Sequence, residues 1–286
     1  MKKSRPSKSH GSKHHGQRKN LGAKKRTGRG PHRPIRPAQG KVLPEGRIVV
    51  GIHAVKEALK VRPRAISELW LRDKYADSQQ LNDLAEIAAL SGVPAVTKSA
   101  QAMDRIIGSH QGIMAFLTES PQFDFNKTES LKYSTLLVLD GVEDPHNLGA
   151  VLRTAWLIGV NAVLIPDVRS ANLSPAVSKV AQGACEHIPV VAETSLQTTL
   201  EDLKSKGYWI FGMSHTAPQS LYESNIPDKV VWVLGSESHG VRKPLERLCD
   251  STVSIPQTED SASYNVSVAA ALALGETFRQ RTAFSL

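Results

Sequence analysis

Residues 135–166, TLLVLDGVEDPHNLGAVLRTAWLIGVNAVLIP, decide the fold class of this chain. The stretch opens with an apolar run that ends at Asp140, passes through a polar turn into a helical pattern over residues 148–158, and closes with the apolar run NAVLIP. Strands that are apolar almost throughout are buried on both faces, and a helix between two of them is the usual crossover of a parallel sheet. The stretch therefore predicts a strand-helix-strand unit of an α/β protein.

The same alternation continues towards the C-terminus. Further strands are predicted at HIPVV, YWIFGM, VVWVLG and TVSIP, and further helices over residues 175–185, 196–206, 242–248 and 264–281. We therefore expect residues 135–286 to form a parallel sheet that helices cover on both faces.

A smaller set of alternating elements precedes this one. RIVV, ISELWLR, PAVTK and GIMAFLTE are predicted strands, and helices are predicted after the first strand and over residues 78–90 and 100–107. Residues 46–119 are thus expected to form a small α/β domain, and the polar, turn-rich residues 120–134 a linker.

The N-terminal segment differs in composition from the rest of the chain. The 286 residues carry a net charge of +9, but residues 1–44 contain 14 of the 36 Lys and Arg and no Asp or Glu. The remainder is mildly acidic, with 22 basic and 27 acidic residues. Since residues 1–45 contain few large apolar side chains, we expect a disordered basic arm that binds polyphosphate in a salt-dependent manner. A solubilising extension and an organellar presequence are the alternatives.

Composition also argues against several protein classes. No apolar run approaches the roughly 18 residues of a membrane span, and no secretory signal is recognisable, so a cytoplasmic protein without a membrane partner is expected. Two isolated cysteines, Cys185 and Cys249, form neither a disulfide framework nor a zinc motif, and the histidines lack ligand spacing, so no metal is expected. Neither GxGxxG after a strand nor GxxxxGK[ST] occurs, which disfavours nucleotide binding by those loops.

Three predicted strand ends carry polar side chains. The strand that opens residues 135–166 leads to Asn147 and Arg153, VVWVLG leads to Glu237, and TVSIP leads to Ser263 and Asn265. Each cluster alone has an ordinary explanation, because Asn and Ser cap helices and Arg is common on surfaces. Ligands bind beyond the carboxyl ends of parallel strands, and three such clusters exceed what helix capping requires. Together they predict a functional site.

The three clusters closely resemble the signature motifs of the SpoU (TrmH) family of RNA ribose 2′-O-methyltransferases. The motifs correspond to Asn147, Gly149 and Arg153, then Gly235, Glu237 and Gly240, then Ile255, Pro256, Ser263, Asn265 and Ser267. In addition, GIHAVKEAL and HQGIMAF resemble the start and end of the substrate-binding domain of family members that act on a guanosine of 23S ribosomal RNA.

The resemblance implies a fold, a cofactor and partners. It implies that the C-terminal part of the parallel sheet forms a trefoil knot, where the general rule against knots would give an ordinary doubly wound sheet. It implies S-adenosylmethionine (AdoMet) as the cofactor, bound around Met213, Gly235, Ile255 and Tyr264, together with an RNA substrate and a homodimer. An apolar stripe on the last helix is either dimer surface or core; it comprises Val266, Val268, Ala269, Leu272 and Leu274.

The resemblance also implies a set of catalytic residues. The resemblance implies that Arg153 takes the ribose proton, sometimes with help from an RNA phosphate. Because a guanidinium stays protonated at ordinary pH and is a poor general base, we expect Arg153 instead to hold the phosphate and stabilise the developing alkoxide. Asn147 and Asn265 would orient the ribose and the motif loops. Glu237 would fix Asn147, Arg153 or a backbone N–H, and Ser263 would be a cap or a further hydroxyl ligand. The acceptor of the ribose proton is left unassigned.

The third motif departs from the family pattern. Relatives read IPM, then a glycine, then SLNVS, whereas this chain has Gln257, no glycine before Ser263, and Tyr264 at the leucine position. The principal prediction is AdoMet-dependent 2′-O-methylation of a guanosine of 23S ribosomal RNA. One alternative is a non-catalytic RNA-binding or ribosome-assembly factor on the same fold, which the basic tail and the altered motif favour. Another is methylation of transfer RNA, against which the small N-terminal domain speaks.

Overall fold

The computed structural model describes residues 43–259 and 261–283. Residues 1–42, which hold most of the predicted basic tail, lie outside the described residues. The described residues contain one sheet of four strands and one of seven. No helix in this part of the chain is long and apolar enough to cross a membrane.

The four-stranded sheet comes first in the chain. Its elements are β1 (Arg47–Val50), α1 (Ile52–Val61), β2 (Ile66–Arg72), α2 (Gln79–Leu90), β3 (Ala95–Lys98), α3 (Ala100–Asp104) and β4 (Ile113–Leu117). The strand order is β1-β4-β2-β3, with β4 antiparallel to β1 and β2, and β2 parallel to β3. Apolar residues of α1 and α2 cover one face, and Met103 of α3 packs with Trp70 and Phe116 on the other. Every residue of β4 is therefore buried.

The seven-stranded sheet is parallel throughout. It contains β5 (Ser134–Asp140), β6 (Ala162–Pro166), β7 (Val190–Glu193), β8 (Trp209–Met213), β9 (Gln219–Ser220), β10 (Lys229–Gly235) and β11 (Ser251–Ser254). The strand order is β7-β6-β5-β10-β8-β11-β9, and every pairing is parallel. The predicted α/β class with a parallel sheet is confirmed. The short strand β9 was absent from the predicted pattern, since two residues are too few to give a period.

Helices cover both faces of the large sheet. On one face lie α4 (Pro145–Ile158), α5 (Pro175–Ala181) and α8 (Val266–Ala283), and on the other lie α6 (Leu196–Ser205) and α7 (Lys243–Glu246). The first of these cores contains Trp232, which is fully buried, stacks on Phe211 and donates from Nε1 to Thr277 Oγ1 at 3.0 Å. Full burial of a large apolar side chain stabilises a fold by about 1.5–3 kcal/mol.

Core packing explains most of the apolar stripe on α8. Val266 and Leu274 are buried in the core, and Ala269 and Leu272 pack against it. Val268 is the exception, with 45% of its surface exposed.

Several helix boundaries differ from those predicted. α3 ends at Asp104 rather than at residue 107, and α8 spans Val266–Ala283 rather than 264–281. α4 begins at Pro145 rather than at residue 148, because the Asp144 side chain accepts a hydrogen bond from the His146 backbone N–H at 2.8 Å and proline fits a first helical turn. α7 spans four residues rather than 242–248.

The end of α5 was also predicted wrongly. The helix stops at Ala181 rather than at residue 185, and Gln182 and Gly183 adopt left-handed conformations with φ of 50° and 100°. Glycine is needed at position 183, because a Cβ there would lie 2.6 Å from the Cγ of Glu57 on α1. The helix therefore ends where α1 approaches the large sheet.

Polar contacts join the two sheets at this place. Arg47 on β1 forms a bidentate ion pair with Glu186, whose side chain is fully buried. The Val50 backbone N–H donates to Ser178 Oγ at 3.2 Å. Because a buried carboxylate is costly without a partner, the Arg47 contact ties β1 to the segment that follows α5.

Candidate active site

The carboxyl ends of the central strands form the edge at which the predicted polar clusters lie. β5 and β10 end in register, with Asp140 beside Gly235. From there the chain leads from β5 to β6 on one side of the sheet, and from β10 to β11 on the other. Such a divergence opens a crevice at the carboxyl ends of parallel strands, which is where ligands bind.

Three of the predicted site residues are hydrogen-bonded to one another at this edge. Asn147 Nδ2 donates to Glu237 Oε1 at 3.1 Å, and Asn265 Nδ2 donates to the same oxygen at 2.6 Å. Asn265 Nδ2 also lies 2.9 Å from Asn147 Oδ1. We call Asn147, Glu237 and Asn265 the polar cluster. Hydrogen bonds to an ionised carboxylate are stronger than neutral ones, so Glu237 fixes both amides.

Asn265 also caps α8. Its Oδ1 accepts from the Ser267 backbone N–H at 2.9 Å and from the Ser267 hydroxyl at 2.6 Å. An amide has separate donor and acceptor ends. Capping accounts for the acceptor end of Asn265, and the polar cluster uses the donor end.

A cavity of about 390 Å³, the smaller cavity, lies beside the polar cluster. The ends of β8, β10 and β11 and the segment before α8 form its wall. That wall contains Ser263 and all four residues predicted to bind the cofactor, namely Met213, Gly235, Ile255 and Tyr264. Small-molecule sites typically measure about 300–1,000 Å³, so the volume of this cavity suits a small-molecule ligand.

Gly235 is required by the backbone geometry of this wall. A Cβ at this position would lie 1.8 Å from the carbonyl carbon of Gly240, which is closer than any real contact. The loop between them is closed by a hydrogen bond of 2.8 Å from the Gly240 N–H to the Ser236 carbonyl oxygen. The strand end and the returning loop can therefore approach only without a side chain at position 235.

A larger cavity of about 840 Å³ lies on the β5 side of the same loop. Its wall includes Asn147 of the polar cluster, Asp140 and Arg169. Residues 236–240 line both cavities and separate them. Glu237, the centre of the polar cluster, thus stands where the two cavities meet.

Asp140 holds the far end of this loop, a role that the sequence did not suggest. Its buried carboxylate accepts from the Arg242 backbone N–H at 2.8 Å and from Arg242 Nε at 2.6 Å. The loop is consequently anchored at its start by β10 and at its end by β5. The position of Asp140 at a strand end was visible in the sequence, but its partner 102 residues away was not.

Arg153 lies apart from the polar cluster in the single chain. It is exposed on α4, lines neither cavity, and makes none of the side-chain hydrogen bonds or ion pairs found in the described part of the chain. The structure of one chain therefore brings together Asn147, Glu237 and Asn265, with Ser263 in the neighbouring wall, but does not bring Arg153 to them.

The atypical segment before α8 is held by its own side chains. Gln257 Nε2 donates to the carbonyl oxygens of Glu259 and Ala262, both at 2.8 Å. The Tyr264 hydroxyl donates to the Pro256 carbonyl oxygen at 3.3 Å. Gln257 and Tyr264, which depart from the family pattern, thus hold this segment in the wall of the smaller cavity.

The two cysteines have no nucleophilic role in this site. Burial raises the pKa of the Cys185 thiol to about 12, and burial together with Asp250 raises the pKa of the Cys249 thiol to about 12. Since the thiolate is the reactive form, both side chains are unreactive at neutral pH.

Comparison with known sequences covers both parts of the chain. The profile of the SpoU rRNA Methylase family matches residues 134–275, and the profile named RNA 2′-O ribose methyltransferase substrate binding matches residues 48–123. The 23S rRNA (guanosine-2′-O-)-methyltransferase RlmB of Pseudomonas putida is 39% identical over 239 residues, which cover 82% of this chain and 96% of the relative. RlmB of Neisseria meningitidis is 40% identical over 240 residues, with the same coverage.

Solved structures show the same fold. The SpoU methyltransferase AviRb from Streptomyces viridochromogenes superposes with a TM-score of 0.71, covering 83% of this chain and 90% of AviRb at 19% identity. Its complex with AdoMet superposes with a TM-score of 0.69. The two family profiles match residues 48–123 and 134–275, and the two RlmB relatives are about 40% identical to this chain over 96% of their own length. This protein therefore belongs to the SpoU rRNA methylase family.

Proposed function

We propose that this protein transfers a methyl group from AdoMet to the ribose 2′-oxygen of a guanosine in 23S ribosomal RNA. The observation that carries the proposal is the polar cluster, which joins the three signature motifs at the wall between a cofactor-sized cavity and a larger one. The two RlmB relatives, which are named for this activity, align with this chain over 96% of their own length, and this supports the same substrate class.

The volume and the lining of the smaller cavity support it as the AdoMet site. Met213, Gly235, Ile255 and Tyr264 would hold the cofactor, and the missing side chain at Gly235 lets the Gly240 backbone complete the wall beside it. When bound, AdoMet supplies an electrophilic methyl group on a sulfonium. A site of this kind needs hydrogen-bonding backbone groups rather than a phosphate cradle, which agrees with the missing GxGxxG motif.

The larger cavity would take the ribose and its phosphates. Asn147 lines this cavity and is fixed by Glu237, so its position is determined before substrate arrives. When the reacting groups are oriented before the reaction, that orientation can account for much of the acceleration of an in-line displacement. We assign orientation of the ribose and of the motif loops to Asn147 and Asn265, fixation of both to Glu237, and a hydroxyl contact to Ser263.

We further propose a homodimer in which Arg153 serves the partner's site. Arg153 and Leu157 are exposed four residues apart on α4, and Leu157 has 74% of its surface accessible. Val268 and Phe278 on the neighbouring α8 are also about half exposed. An interface through α4 and α8 would cover these side chains and bring Arg153 to a second chain, where its guanidinium would hold an RNA phosphate.

The trefoil knot belongs to the same proposal. The strand order places β11 between the earlier strands β8 and β9, so the chain re-enters the sheet after leaving it. The smaller cavity is built from three chain segments that meet there. Both features are those expected if the C-terminal segment is threaded through a loop.

The remaining parts of the chain would serve RNA binding. We propose that residues 46–119 form a substrate-binding domain joined by a linker at 120–134, and that the basic residues of the first 44 positions add salt-dependent affinity for RNA. An enzyme with ribosomal RNA as substrate would act in the cytoplasm.

The test combines cofactor binding with methyl transfer. Calorimetry should show AdoMet binding to the protein alone, and tritium from labelled AdoMet should appear in unmodified 23S ribosomal RNA at a single guanosine. Tight RNA binding without AdoMet binding would instead favour a non-catalytic assembly factor. Transfer to unmodified transfer RNA but not to 23S RNA would favour the transfer-RNA alternative.

A further inference from the structure

The proposed reaction needs a group that accepts the proton of the ribose hydroxyl. If the methyl donor and the ribose occupy different cavities, the acceptor must stand where the cavities meet. Among the described residues, the titratable side chains in the walls of both cavities are Glu237 and His239.

Glu237 is already committed to the polar cluster. Its Oε1 accepts from Asn147 at 3.1 Å and from Asn265 at 2.6 Å. Protonation of this carboxylate would weaken the charge-assisted hydrogen bonds that hold both amides. Glu237 is therefore suited to organise the site rather than to take up a proton in each reaction cycle.

His239 has the geometry of an oriented base. Its Nδ1 lies 2.7 Å from Ser238 Oγ, and its backbone N–H donates to Ser236 Oγ at 3.3 Å. When Nδ1–H donates to the Ser238 oxygen, the basic lone pair is on Nε2. Nε2 takes part in none of the hydrogen bonds found among the described residues, so it is available to a ligand in the adjoining cavities.

The other charged groups at this edge face one cavity each. In the wall of the smaller cavity they are His215, Lys243 and Glu246. In the wall of the larger cavity they are Asp140, Glu143, Asp144, Asp167, Arg169 and Arg242. Asp140 pairs with Arg242, and Lys243 pairs with Glu246 at 2.7 Å, so these four groups are engaged as well.

We propose that His239 is the general base of the methyl transfer and that Ser238 is the positioning residue that fixes its tautomer; this inference rests on the proposed function. The proton of the 2′-hydroxyl passes to Nε2 of His239 as the ribose oxygen bonds to the methyl carbon. The bond from that carbon to the sulfonium sulfur breaks, and its electron pair stays on the sulfur. The imidazolium then releases its proton to water, which restores the base.

Single-turnover methylation tests the proposal. With AdoMet and 23S RNA saturating, His239→Gln should be about 100-fold slower than the wild type or slower still, since general bases contribute roughly 10²–10⁴-fold. The wild-type rate should fall as the pH is lowered, because a protonated imidazole cannot act as a base, and that fall should be smaller in His239→Gln. Ser238→Ala should lose several-fold in rate. His146→Gln removes an exposed histidine outside both cavity walls and should keep the wild-type rate and pH profile.

A second readout does not depend on turnover. A long-range ¹H–¹⁵N spectrum of the AdoMet-free protein should show His239 protonated on Nδ1 at neutral pH, and Ser238→Ala should shift it towards the other tautomer. AdoMet affinity by calorimetry should stay within about threefold of the wild type in His239→Gln, because its role is in the chemical step. These measurements separate a base from a merely structural histidine.

The outcomes distinguish the inference from the function on which it rests. A wild type that methylates 23S RNA, beside a His239→Gln variant within threefold of its rate and with the same pH profile, overturns the inference alone. An Nε2–H tautomer in the wild type also overturns it. A wild type that transfers no methyl group to RNA overturns the proposed function, and the inference with it.

Discussion

A single amide, that of Asn265, serves both the stability of α8 and the organisation of the active site. Its oxygen caps the helix through Ser267, and its nitrogen donates to Glu237 and Asn147. The two contributions separate on substitution. Serine can cap a helix about as well as asparagine but has no amide to donate to Glu237, whereas alanine can do neither.

Asn265→Ser should therefore lower methyl transfer by about 10–100-fold, the equivalent of one hydrogen bond to a charged group, and should be about 1 kcal/mol more stable to unfolding than Asn265→Ala because it keeps the helix cap. Asn265→Ala should lose similar activity and about 1 kcal/mol of stability besides. Urea unfolding and tritium transfer measure the two effects. Equal losses of stability in both variants would argue against the separation of roles.

Gly235 and Gly240 offer a matched pair of substitutions in one loop. Gly235→Ala forces a Cβ to within 1.8 Å of the Gly240 backbone, so the wall of the smaller cavity must move. Gly240→Ala meets nothing within 4 Å and costs only the left-handed conformation at φ 65°, about 1–2 kcal/mol. We expect AdoMet affinity by calorimetry to fall at least about 100-fold in Gly235→Ala, or 2.7 kcal/mol, and to change little in Gly240→Ala. Similar affinities in the two variants would contradict this account of the wall.

At the scale of elements, the tie from β5 to the start of α7 determines where the loop over both cavities lies. Arg242 is the partner of the buried Asp140 carboxylate, whereas its neighbour Lys243 forms an exposed pair with Glu246. Arg242→Ala should cost about 1–3 kcal/mol of stability, because a buried acceptor loses its charged donor. Lys243→Ala should cost less than about 1 kcal/mol, as is usual for exposed ion pairs. Urea unfolding of the two variants provides the comparison, and equal losses would show that the Asp140 contact is not special.

The sequence predicted the elements of the fold well wherever an apolar period was long. β5 and β10 are almost continuous apolar runs because helices cover both faces of the sheet. Such runs predict buried strands from the sequence alone. The end of α5 was missed because it depends on α1, which approaches Gly183 from a distant part of the chain. The start of α4 was missed because the cap of Asp144 adds a turn before the apolar period begins.

At the scale of the whole molecule, the sequence indicated which strand ends would meet, because parallel strands end at one edge. Asn147, Glu237 and Asn265 lie together as the motifs predicted, and the four residues predicted to bind the cofactor share one wall. The tie between Asp140 and Arg242 and the orientation of His239 by Ser238 were not predicted. Side-chain pairing of this kind depends on register and loop path, which no periodicity encodes.

Arg153 lies apart from the polar cluster of its own chain, so mixing of two variants can test whether it acts on the partner's site. If Arg153 acts on the partner's site, Arg153→Ala and Glu237→Ala should each be inactive alone, yet co-refolded equal mixtures should regain about a quarter of the wild-type rate, because half of the dimers then carry one complete site. No recovery on mixing would place Arg153 in its own chain's site or outside the reaction.

The central claim is that methyl transfer takes place at the polar cluster, between the two cavities. The most direct measurement maps 2′-O-methylated nucleotides in unmodified 23S ribosomal RNA after incubation with AdoMet and either the wild type or Glu237→Ala. We predict one methylated guanosine with the wild type and a loss of at least about 100-fold with Glu237→Ala, since both amides lose their common acceptor while the smaller cavity still binds AdoMet. Wild-type methylation by Glu237→Ala would contradict the account.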